Sequence, residues 1–169
     1  MTLNELRKDE IVVIDANILI YALGGKSSQC EHLIRRCAVG EIHGVLTSPV
    51  LAEVMHRLMH AEARENVWIS GPNPARRLSE MPERIKMLWR YEQAVKNLLA
   101  TGIHFEPTGK DDFITAMRIE REYGFLTNDA LFLAVAERLR IQAIATAGKM
   151  LAQVRGIVAY SPDDLKNPV

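Results

Sequence analysis

The chain reads as an α/β protein, a three-layer α/β/α sandwich with a mostly parallel central sheet, and three observations point there. Short apolar runs such as "IVVID" at 11–15 and "AIATA" at 143–147 show no polar alternation, as strands covered on both faces do. Amphipathic stretches of helical period alternate with these runs from end to end. The most loop-like tract, 70–83, lies between helical patterns rather than between two composition regimes, so the 169 residues suit one domain, 1–169.

The elements follow in order. "IVVID" is the first strand, "NILIYAL" opens a helix that "GGKSS" breaks, and a second helix runs from Gln29 to Val39 with Gly40 closing it. "HGVLTS" at 43–48 is the second strand, and Pro49 sits where the first turn of a helix tolerates it. In that helix Val50, Leu51, Val54, Met55, Leu58 and Met59 share one face, while Glu53, His56, Arg57 and His60 share the other. Residues 83–101 predict a long amphipathic helix, "HFEP" a brief strand, and "TGKDDF" a helix start with Thr108 as N-cap. Asp111 and Asp112 then serve as acids favoured by the helix dipole. The helix over 127–140 is apolar for two turns after Asp129 and is therefore expected to be central. Strands at 143–147 and 156–161 flank a short helix at "KMLAQV".

Several function classes find no support. Lys plus Arg and Asp plus Glu both total 21, so net charge argues neither for nor against nucleic acid. Cys30 and Cys37 fit reduced thiols rather than a disulfide framework or a zinc site. No apolar run approaches the roughly 20 residues that cross a bilayer, and "MTLNELRKDE" lacks the apolar core of a signal peptide, so a cytoplasmic location is expected. "GGKSS" lacks the earlier glycine of a phosphate loop, Ile20 standing there. "HRLMH" has Arg57 where a zinc protease needs its glutamate.

The acids carry more. Asp15 ends the first strand, the edge where ligand crevices form in parallel sheets, and Asp129 opens a helix too apolar to lie on an open surface. Glu53, early in the helix after the second strand, can reach the same edge. Such a cluster suits divalent-metal phosphoester hydrolysis, because Mg²⁺ prefers carboxylate oxygens and waters, and carboxylates gathered without a cation repel one another. Each acid also has a plainer reading. Asp15 and Asp129 suit helix caps or first turns, and Glu53 precedes Arg57 at the spacing of an exposed ion pair.

"VIDANILIYAL", "LTSPVLAEVMHRL" and "FLTNDALFLAVAERLRIQAIATAGKML" resemble, in order and over about residues 11–160, the conserved blocks of PIN domains, especially toxins of the VapC type. The resemblance implies an α/β/α ribonuclease that binds Mg²⁺ or Mn²⁺ through acids falling on Asp15, Glu53 and Asp129, with Asn17 and Thr146 as supporting polar groups. It also implies an RNA substrate, a small antitoxin partner and a homodimer. One departure stands out: family members commonly carry a fourth aspartate where this chain has Gly148, and Met150 is no substitute.

Two functions follow: a metal-dependent endoribonuclease, the toxin of a toxin-antitoxin pair, or a non-catalytic PIN domain that binds RNA or a protein. Retention of three acids favours the first and Gly148 the second. A phosphatase of the haloacid dehalogenase type, with Lys149 as its later lysine, fails because Asn17 stands where its second aspartate belongs. Whether Asp111 or Asp112 approaches the site is not decided by any pattern.

Overall fold

The computed structural model describes residues 1–165, so the last four residues of the predicted 1–169 domain lie outside the described residues. After a 3₁₀ turn at Leu3–Glu5 come β1 (Ile11–Ile14), α1 (Ala16–Leu23), α2 (Ser28–Ala38), β2 (His43–Thr47) and α3 (Ser48–Glu65). Next are α4 (Pro74–Ser79), α5 (Pro82–Ile85), α6 (Arg90–Leu99), β3 (His104–Glu106) and α7 (Lys110–Tyr123). Last among the described residues are α8 (Thr127–Leu139), β4 (Ala143–Ala145) and β5 (Val158–Tyr160). The five strands form one sheet in the order β3-β2-β1-β4-β5, and every pairing is parallel. This is the α/β/α architecture that unalternated apolar strands predict.

Burial explains the strand sequences. Val12, Val13 and Ile14 have no exposed surface, and neither do Ile144 and Ala145, since helices cover both faces of the sheet. The central position expected for α8 also holds: Ala130 to Ala136 are all buried. Gly44 is required by the fit of β2 against this core. A Cβ there would lie 2.9 Å from Ile14 Cδ1 and 3.0 Å from Cys37 Sγ. Gly44→Ala is therefore expected to cost about 1–2 kcal/mol, overpacking outweighing the gain in backbone entropy. The check is a lowered urea midpoint, and an unchanged one would refute the steric account. Cys30 and Cys37 are buried free thiols, and burial pushes both up to about 11.

Three local expectations are corrected. The helix expected over 83–101 is two helices, α5 and α6, because α6 starts afresh at a cap supplied from elsewhere. Glu62 on α3 accepts the amides of Trp89, Arg90 and Tyr91 at 3.1, 3.2 and 2.8 Å, the donors that a helix start leaves free. The tract 70–83 contains α4, whose Leu78 packs with Ala63, Ile69 and Leu88 in a small second core. "KMLAQV" yields only a 3₁₀ turn, Leu151–Gln153.

The start of α7 also moves by one residue. Gly109, not Thr108, is its N-cap, and the Gly109 amide donates to Asp112 Oδ2 at 2.7 Å. Asp112 is more than a dipole acid: it is 2% exposed and accepts from Arg138 Nε at 2.8 Å. Arg138 also reaches Glu106 at 2.7 Å, so this trio ties β3, α7 and α8 together.

Candidate active site

The strand order puts a topological switch at β1, with β2 and β3 on one side and β4 and β5 on the other. Crevices in open parallel sheets form at the carboxyl ends of strands beside such a switch. Ile14 pairs with Ala145, so the residues that follow, Asp15 and Thr146, leave the sheet side by side. The Asp15 amide still donates to Ala145 O at 2.9 Å. Thr146 Oγ1 donates to Asp15 Oδ2 at 2.9 Å. The same hydroxyl accepts the Gly148 amide at 2.9 Å, an arrangement that directs its single proton to Asp15.

Asp15 stands at the N-cap position of α1 but makes no capping hydrogen bond of its own. Burial pushes its carboxyl above the ordinary 3.8, and polar contacts with Thr146, Ala16 and Asn17 offset this only in part.

The other two acids feel Asp15. Glu53 is half-buried on α3, and its carboxyl is raised by burial first and by the Asp15 charge second; Arg57 opposes this and Asp129 adds to it. Asp129, in the first turn of α8, is exposed; loss of hydration against the surrounding protein and then the charge of Asp15 raise it. Asn17 touches Asp15 and also reaches across to α3. It accepts from Arg57 Nη1 at 2.6 Å, and that nitrogen lies 3.5 Å from Glu53 Oε1. Arg57 thus ties α1 to α3 beside the acids, a role that the i,i+4 spacing from Glu53 hinted at but that helical periodicity assigns to solvent.

Asp15, Glu53 and Asp129 are an all-oxygen, hard donor set whose members resist ionising together. Among the described residues no three His, Cys, Asp or Glu side chains close into one coordination sphere. That geometry still fits a hydrated Mg²⁺, which binds proteins through one or two carboxylates and keeps several waters. Neither Asp111 nor Asp112 is among the charges that shift these acids. Beyond Thr146 a crevice of about 500 Å³ is lined by Gly148, Lys149, Ser161 and Asp163 among others.

The sequence model of the PIN domain matches residues 12–157. The chain belongs to the PIN domain family. Solved structures share the fold of this PIN domain at low identity. VapBC2 from Rickettsia felis, determined bound to a DNA fragment from its promoter, is 14% identical with a TM-score of 0.59, covering 90% of this chain and 99% of that one. A toxin-antitoxin complex from Klebsiella pneumoniae is 18% identical with a TM-score of 0.52, covering 87% and 95%. VapC20 of Mycobacterium tuberculosis, a sarcin-ricin loop cleaving toxin, is 17% identical with a TM-score of 0.54, covering 83% and 93%. No curated protein sequence matches the chain. Among the described residues of this PIN domain no helix is long and apolar enough to cross a membrane.

Proposed function

We propose that this PIN domain is a metal-dependent endoribonuclease, the cytoplasmic toxin of a toxin-antitoxin pair, acting as a homodimer on an RNA substrate. The observation that carries the reading is Asp15, held by Thr146 at the sheet's switch point, with its charge acting on both Glu53 and Asp129. The toxins among its structural relatives support the biological setting.

In this reading Asp15, Glu53 and Asp129 would hold Mg²⁺ or Mn²⁺, directly or through the ion's waters. An ion bound there would supply Lewis acidity to a phosphate oxygen and lower the pKa of a water. Thr146 orients Asp15 by donating to its Oδ2. Arg57 restrains Glu53 and, through Asn17, the first turn of α1. The test is incubation of purified protein with labelled RNA and Mn²⁺ or Mg²⁺, with Asp15→Ala as control. Cleavage that needs both metal and Asp15 supports the reading, and RNA retention without cleavage overturns it.

A non-catalytic, RNA- or protein-binding PIN domain is the second reading, favoured by Gly148. The position accepts a side chain: its φ is not left-handed, and a Cβ would lie 3.3 Å from Thr146 Oγ1, so a small shift suffices. Gly148→Asp is expected to raise cleavage at limiting Mg²⁺ about tenfold by adding a carboxylate beside the Asp15–Thr146 pair. Rates measured across a Mg²⁺ titration check this; a variant as inactive as its inactive parent would favour the binding reading.

A further inference from the structure

We propose that His56 and His60 form a second, separate metal site on α3, selective for one first-row transition ion such as Cu²⁺, Ni²⁺ or Zn²⁺. The two residues are one helical turn apart, and their rings already touch, with centroids 4.2 Å apart at 65°. Two imidazoles at this spacing on one helix face make a chelate, and imidazole nitrogen suits these ions where carboxylate and water suit Mg²⁺. The site is thus chemically distinct from the all-oxygen acids.

Three features fit a ligand role better than a structural one. First, neither ring has a carboxylate partner: the histidine so paired among the described residues is His104, with Glu106. Second, the two rings lie against each other on one helix face, with His60 half-buried and His56 exposed. Third, both rings line a crevice of about 170 Å³ between α3 and α4, together with Met59, Leu78 and Ser79. That crevice has room for one ion and a few waters, and His60 is half-buried at its wall. His56 is exposed and free to rotate its ring until both lone pairs converge. The edge-to-face contact is then an unliganded arrangement one side-chain rotation from the chelate.

The site has a place in the fold. Met59, Leu78 and Ile85 join the small second core through which α4 and α5 rest on α3. An ion in the crevice sits at this seam. Glu53 lies three and seven residues before the histidines, roughly 5–10 Å along the axis, so the ion's charge is felt at the acid cluster.

The experiment is calorimetric titration of the whole protein with Ni²⁺ and Zn²⁺ in saturating Mg²⁺, with Cu²⁺ paramagnetic resonance to count nitrogen ligands. The expected result is one equivalent bound, two nitrogens on Cu²⁺, and affinity in the order Cu²⁺ above Ni²⁺ and Zn²⁺. His56→Ala and His60→Ala should each lower affinity at least about tenfold, and the double variant little further, because losing either ring destroys the chelate. Unchanged affinity in both variants would overturn the proposal. So would small additive losses, which mark two independent surface histidines, or loss of binding in Asp15→Asn, which places the ion at the acids. His56→Ala removes an exposed ring, so an unaltered thermal midpoint without metal confirms that the variant is folded. None of these readouts depends on RNA cleavage.

Discussion

Asp15→Asn is expected to abolish metal-dependent RNA cleavage, by about 10³-fold or more, and at the same time to make the metal-free protein more stable. Both effects have one cause. Asp15 is held among buried residues with Glu53 and Asp129 near enough to be shifted by its charge, so its ionised form is disfavoured until a cation arrives. Asparagine keeps the shape and an oxygen to accept the Thr146 hydroxyl, but it removes the charge. The sign follows from proton binding. The native carboxyl lies above its unfolded value of 3.8, so the folded state holds the proton over the interval between the two values. Stability of the metal-free protein therefore falls as pH rises through that interval, and the penalty is full above it. At neutral pH the Asn variant should gain about 1 kcal/mol, discounted for partial solvation. Thermal melts with and without Mg²⁺ check this: Mg²⁺ should raise the wild-type midpoint and leave the variant's nearly unmoved. A variant less stable than wild type without metal would show that Asp15 is chiefly structural.

Glu62→Ala is expected to be the most damaging change away from the acids, at about 3 kcal/mol. Glu62 is 4% exposed, and its carboxylate receives three amides at the start of α6 together with Arg90 Nε at 3.6 Å. Truncation leaves those donors without an acceptor in a place poorly reached by water. Burial by itself would raise the Glu62 carboxyl; the amides of Tyr91, Trp89 and Arg90 and the Arg90 charge outweigh it and hold the group below the ordinary 4.5. A lowered carboxyl contributes stability that is complete above the unfolded value and is lost as pH falls through the native one. The wild-type protein should therefore lose stability below pH 4.5 more steeply than the variant. Urea unfolding over that acid range measures both the loss and its pH dependence. Equal slopes would mean that the carboxylate is not the acceptor in solution.

These two residues mark where sequence reading stops. Asp15 is legible because a carboxylate directly after a four-residue apolar strand, buried over its last three residues, has few plain roles, and because strand ends in a parallel sheet are where crevices form. Glu62 is illegible. It sits late in an amphipathic helix among Arg and Glu neighbours, and the amides it caps are 27 to 29 residues away. Arg57 is an intermediate case. Its spacing from Glu53 is visible, but its bond to Asn17 depends on how α1 and α3 pack.

By itself the sequence determined the strands, the central helix α8 and the layered α/β/α class, since burial on both faces of a strand and along a whole helix leaves a local, periodic trace; Glu53 as a site acid came from the family resemblance, because helical periodicity assigns it to solvent. Only the tertiary structure decided that α6 begins anew at a cap from α3, that Asp112 belongs to Arg138 and not to the acids, and that Thr146 spends its one proton on Asp15. Each of those is a hydrogen bond between residues distant in the chain. Such partners are chosen by packing geometry, which no period of two or 3.6 residues encodes.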